Sequence, residues 1–81
     1  LDNITIYLTS SIGAGFVGNK EYPAGFTLGE LVSQETGQDE DIAFNNYHVR
    51  VNRQATEDVE TVLLHGMRVT ISPKKVDGGS N

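Results

Sequence analysis

Tyr22-Pro23-Ala24-Gly25-Phe26-Thr27-Leu28-Gly29-Glu30-Leu31 is the stretch on which the fold of this chain turns. Pro23 closes the segment before it, because proline has no amide hydrogen to give to a strand ladder. Thr27 and Glu30 then form a T-x-x-E capping box, in which the hydroxyl accepts from the Glu30 amide and the carboxylate reaches back to the Thr27 amide. Leu28, Leu31, Val32 and Glu35 follow at helical spacing, and Gly37 is a natural left-handed stop. The stretch predicts a short helix from Leu28 to Glu35, with a narrow apolar stripe suited to packing on one face of a sheet.

Strands flank this helix on both sides. Ile4-Thr5-Ile6-Tyr7-Leu8-Thr9 alternates strictly and points Ile4, Ile6 and Leu8 inward. Ser10 to Asn19 is rich in glycine and reads as a long mobile hairpin loop with Phe16 and Val17 at its tip. Lys20-Glu21-Tyr22 reads as a short second strand. Beyond the helix, Asp39 to Asn46 reads as an acidic, polar loop. Tyr47 to Asn52 alternates with Tyr47, Val49 and Val51 inward, and Met67 to Ser72 does so with Met67, Val69 and Ile71 inward. Between them, Val62-Leu63-Leu64 reads as a short turn that plugs the core, and Pro73 ends the last strand. The expected fold class is α+β: a mixed sheet of four to five strands packed on one helix, with the first and last strands parallel at its centre. The expected core is Ile6, Leu8, Leu31, Val49, Val51, Val69 and Ile71.

The composition narrows the possible functions. The chain of 81 residues supports a single small domain, expected over 1–73, followed by a flexible polar tail over 74–81. Such a domain has room for one modest core and not for a deep substrate pocket. Six Lys and Arg stand against eleven Asp and Glu, a net charge of −5, which disfavours nucleic acid as a partner. There is no cysteine, so disulfides, thiolate metal sites and thiol nucleophiles are excluded. The N-terminal segment lacks the pattern of a signal peptide, and the longest aliphatic run, Val62-Leu63-Leu64, is far short of a membrane span. These features predict a cytoplasmic protein that does not enter the membrane.

Several motifs sharpen the fold. The Tyr22 to Leu31 stretch resembles the x-Pro-x-Gly-x-Thr-φ-x-Glu-Leu helix start of small sulfur-carrier proteins. Val49-Arg50-Val51-Asn52 resembles their Val-x-Val-Asn strand end. Leu64-His65-Gly66-Met67-Arg68-Val69-Thr70-Ile71 is similar, with a slight shift, to their Leu-x-x-Gly-Asp-x-Val-x-Ile pattern. Gly78-Gly79 lies where that family carries its terminal di-glycine. The family comprises the thiamin sulfur carrier and the small subunit of molybdopterin synthase, within the ubiquitin-like superfamily. The resemblance implies a ubiquitin-like β-grasp and a carrier or protein modifier rather than an enzyme. It implies a partner activating enzyme that adenylates the terminal glycine carboxylate with ATP, for conversion to a thiocarboxylate or transfer to a lysine. Gly78 and Gly79 would carry that chemistry, since residues without Cβ allow close backbone approach to a nucleotide. In this chain Ser80 and Asn81 follow Gly79 and would have to be removed. Met67 and Arg53 stand where the family usually has Asp and Gly.

Other constellations carry less. Gly13-Ala14-Gly15-Phe16-Val17-Gly18 spells G-x-G-x-x-G, but a dinucleotide site needs a helix next, and Pro23 follows instead. His48 and His65 have no further ligands at metal spacing, so no metal and no cofactor are expected. Asn3-Ile4-Thr5 has the letters of a glycosylation sequon but opens a core strand. No nucleophile with a base partner is evident, and the chain is not expected to be an enzyme. Strand parity places Tyr7, His48, Arg50, Arg68 and Thr70 on the open face of the sheet. With Phe16 and Val17, these are the candidate partner-binding residues. The alternative to a carrier is therefore a non-covalent interaction module or a small structural subunit of a larger assembly, including a viral particle.

Overall fold

The computed structural model describes residues 2–74. Gly78 and Gly79 lie outside the described residues, as does all of the expected tail except Lys74. The elements run β1 (Asn3–Ser10), β2 (Phe16–Pro23), α1 (Leu28–Thr36), α2 (Glu40–Asn46), β3 (Tyr47–Val51), β4 (Gln54–Ala55) and β5 (Arg68–Pro73). The strands form one mixed sheet in the order β2-β1-β5-β3-β4. β1 and β5 pair in parallel, from Tyr7 opposite Arg68 to Ser10 opposite Ile71, and the other ladders are antiparallel. This is the expected α+β class with the expected parallel centre.

Helix α1 forms as its residues dictate. The Glu30 amide donates to Thr27 Oγ1 at 3.2 Å, and the Thr27 amide donates to Glu30 Oε1 at 2.9 Å. At the other end Gly37 adopts φ 73°, and its N–H closes the last turn on Ser33 O at 2.8 Å. Leu28, Leu31 and Val32 face Ile6, Leu8, Val49, Val69 and Ile71 in one core. The segment before β5 clamps the helix start: Leu28 N–H donates to Thr61 O, Gly29 N–H to Val59 O, and Leu63 N–H to Phe26 O. Leu63 is thereby buried as the plug that the sequence suggests, while Val62 and Leu64 on either side are exposed. Gly29 is packed so closely that a Cβ there would lie 2.9 Å from the Val59 Cβ.

The structure departs from the expected elements in three places. Asp39 to Asn46 is not a loop, because Glu40–Asn46 forms a second helix. Its Ala43 and Phe44 are buried in the core, and Glu40 and Asp41 in its first turn complement the helix dipole. Tyr47 then follows without a linker, its N–H closing on Ala43 O. The second strand starts at Phe16 rather than Lys20, since the eight residues of β1 find eight partners, from Asn3 opposite Pro23 to Ser10 opposite Phe16. Phe16 and Val17 consequently belong to a strand and not to a loop tip. Finally, Val51 is only half-buried. It is the last residue of β3, paired with Val69 of β5 and Gln54 of β4, and packs at the margin of the core.

The β3–β4 turn is tight. Asn52 and Arg53 have φ 50° and 75°, the left-handed pair of a type I′ hairpin turn. Arg53 accepts the conformation for which glycine is the usual choice, at a cost of roughly 1 kcal/mol.

Candidate functional site

The alternation of each strand sends one set of side chains to the core and the other to the open face. In β1 this exposes Tyr7 between buried Ile6 and Leu8, and in β5 it turns Arg68 and Thr70 away from buried Val69 and Ile71. In β3 it turns His48 and Arg50 away from buried Val49. The register then gathers them. Tyr7 lies opposite Arg68, Thr70 lies between Thr9 and Arg50, and His48 lies opposite Ser72. Val17 joins the same face from β2, opposite Thr9, and is 65% exposed. Six of the seven candidate residues therefore share one surface.

Phe16 does not. A strand's side chains alternate between faces, so Phe16 falls with Ser10 and Lys20 on the helix side of the sheet. There the Lys20 ammonium lies 5.5 Å from its ring centroid. The pairing of Phe16 and Val17 as one apolar contact is thus corrected to two residues on opposite faces.

Hydrogen bonds from the Asn52 side chain and backbone tie the face together. Asn52 Oδ1 accepts from the Arg68 amide at 3.1 Å, while the Asn52 N–H donates to Arg68 O. This locks the β3 end to the start of β5 and fixes where Arg68 sits. The Arg68 guanidinium packs over the Tyr7 ring, 5.5 Å from its centroid. A cation over an aromatic face is attracted by the ring quadrupole. His65 Nδ1 accepts from the Thr5 amide at 3.1 Å, so that histidine satisfies a β1 amide just before the β1–β5 ladder begins.

The charges are segregated. On the helix side, Lys20 Nζ lies 2.8 Å from Glu35 Oε2, the one ion pair among the described residues. Arg50 and Arg68 have no carboxylate partner among the described residues. Glu21, opposite Thr5 on the outer strand β2, is the acidic side chain at the far margin of the open face. A chain of net charge −5 thus presents two unneutralised guanidinium groups side by side.

Beside this face, a cleft of about 450 Å³ opens between α2, β3 and the segment that follows β4. It shares His48 with the open face. Sequence reading missed it because one wall is Phe44 of α2.

The Glu35 carboxylate also accepts from the Tyr22 hydroxyl at 2.9 Å. Burial pushes the Tyr22 phenol well above its ordinary value, and the hydrogen bond to Glu35 and the Glu35 charge push in the same direction. Ionisation of Tyr22 is therefore less favourable in the folded chain than in the unfolded one. Stability is retained below about pH 10, where an unfolded tyrosine is protonated, and falls as pH rises beyond it. An alkaline titration followed by phenolate absorbance is expected to show Tyr22, among three tyrosines, ionising only as the helical signal is lost. Ionisation of all three with the fold intact would contradict this environment.

Among the described residues there is no group of three or more side chains able to hold a metal ion, and no helix long and apolar enough to cross a membrane. The G-x-G-x-x-G letters span the β1–β2 turn and the start of β2, with no helix at their end. No protein-family model and no curated protein matches the chain.

Proposed function

We propose that this chain is a ubiquitin-like β-grasp protein that works by binding a protein partner on its open sheet face. The observation that carries the reading is the convergence there of Tyr7, Arg50, Arg68, Thr70, His48 and Val17, with two arginines that have no carboxylate partner among the described residues. Tyr and Arg are residue types enriched at interfaces. The strand order β2-β1-β5-β3-β4 over a capped helix supports the β-grasp assignment. The test is charge reversal: Arg50→Glu with Arg68→Glu releases the partner while the fold persists. Retention of the partner by the folded variant overturns the reading.

A second reading, a sulfur carrier or protein modifier acting through Gly79, is supported by the same strand order and by the placement of β5. That strand lies between β1 and β3, so the chain beyond Pro73 continues from the middle of the sheet. The seven residues from Pro73 to Gly79 span at most about 23–25 Å when extended, enough to enter a partner's cleft. In the activation step a glycine carboxylate oxygen bonds to the α-phosphorus of ATP, and pyrophosphate leaves. A chain ending at Gly79 is expected to support ATP–pyrophosphate exchange with an activating enzyme from the same source. The chain carrying Ser80 and Asn81, and the Gly79→Ala form of the shortened chain, are expected to support little. Equal inactivity of all three removes the carrier reading and leaves the binding module.

A further inference from the structure

We infer that the open face takes an acidic, extended protein segment, whose carboxylates meet Arg50 and Arg68 and whose single apolar anchor side chain enters the cleft beside β3 and β4. The inference rests on the partner-face reading above and specifies the partner's chemistry.

Arg50 lies directly opposite Thr70, two residues along β5 from Arg68. The two arginines are therefore diagonal neighbours, whose Cα atoms in a sheet are about 7–8 Å apart. Side chains on one face of an extended peptide recur every two residues, or about 6.6–6.8 Å. A Glu-x-Glu or Asp-x-Asp step thus matches the arginine spacing. The planar guanidinium favours carboxylates through paired N–H···O contacts, and here it has none to satisfy it among the described residues.

The cleft supplies the second half of the recognition. Phe44 and Val49 are buried in its floor, and Tyr47 and Ala55 line it. Ala55 is the β4 residue opposite Arg50, and His48, two residues from Arg50 along β3, also lines the cleft, so the cleft meets the open face at the β3 margin. Its volume of about 450 Å³ suits a large apolar side chain. Glu57 and Lys74 line the wall with opposite charges, so the preference for carboxylates is set by Arg50 and Arg68 on the open face. A nucleic acid is disfavoured by the chain's net charge of −5, because a polyanion needs many phosphates neutralised.

The test is an NMR titration of the full isotope-labelled chain with short Ser/Gly peptides that carry Glu-Ser-Glu and one Leu, placed two to four residues away. Amide shifts are expected at Arg50, Arg68 and Thr70, and at Tyr47 and Val49. Affinity is expected to fall by about tenfold or more when the peptide Leu becomes Ala, and again for the Arg50→Ala, Arg68→Ala chain. Equal binding of a peptide with Lys in place of Glu overturns the acidic chemistry while leaving the face as the partner surface. Tighter binding of a single-stranded oligonucleotide at the same residues makes the face a nucleic-acid site and overturns the inference. Shifts confined to the helix side overturn both the inference and the face on which it rests. No shift with any of the peptides overturns the inference alone, since the charge-reversal test with the protein's own partner remains independent.

Discussion

Leu31→Ala is expected to lower the unfolding free energy by about 2–5 kcal/mol, the range found when a large core side chain is cut to alanine and its cavity stays partly open. Leu31 has no solvent exposure and lies on the α1 stripe, in the core that Ile6, Leu8, Val69 and Ile71 build from the central parallel pair of strands. Domains carry roughly 0.05–0.15 kcal/mol of stability per residue, or about 4–12 kcal/mol for a chain of this length. The substitution therefore removes a large share of the total. Urea denaturation followed by circular dichroism is expected to show a lower midpoint at unchanged slope. Val62→Ala serves as the contrast. Val62 is 51% exposed, and its loss is expected to cost about 0.5 kcal/mol or less. A Leu31→Ala effect as small as that of Val62→Ala would contradict the packing of α1 on the sheet.

The double substitution Arg50→Glu, Arg68→Glu is expected to weaken partner binding by about a hundredfold or more. It removes two attractive charges and installs two repulsive ones at the centre of the face. Stability is expected to change little, because both side chains are exposed and neither forms an ion pair among the described residues. The foreseeable loss is the Arg68–Tyr7 contact, worth roughly 0.5–1 kcal/mol at an exposed site. Titration calorimetry with the isolated partner reads the affinity, and the denaturation midpoint reads the fold. Residual binding is expected to reverse its salt dependence and tighten as added salt screens the introduced repulsion. Undiminished affinity in a folded variant would remove the arginines from the interface.

The parts of the fold that were legible in the sequence carry strong local signals. Ile4 to Thr9 alternates because β1 has a wet face and a dry one, and the same parity sends Tyr7, His48, Arg50, Arg68 and Thr70 outward. Thr27, Glu30 and Gly37 mark the bounds of α1 by chemistry that acts within one turn. Helix α2 was not legible. Seven residues with Ala43-Phe44 as their buried pair are too short to show a helical period, and the surrounding Glu, Asp and Asn resemble a loop. The cleft was missed with it, since Phe44 is one of its walls. The start of β2 was hidden for a different reason. Phe16 to Asn19 has no alternating pattern of its own and becomes a strand because β1 extends far enough to pair with it. That pairing separates Phe16 from Val17, which no reading of a loop tip would do. Val51 kept the alternation of β3 but, as the last residue of that strand, packs only at the margin of the core.

Arginine-selective modification with phenylglyoxal reports whether the open sheet face is the partner surface. The reaction is run on the chain alone and on its complex with the partner, and read at each site by mass spectrometry. The chain has three arginines, and Arg53 in the β3–β4 turn serves as an internal reference at the margin of the face. Protection of Arg50 and Arg68 in the complex, with Arg53 protected less, is the expected result. Equal reactivity of Arg50 and Arg68 in the free chain and in the complex would place the partner on another surface.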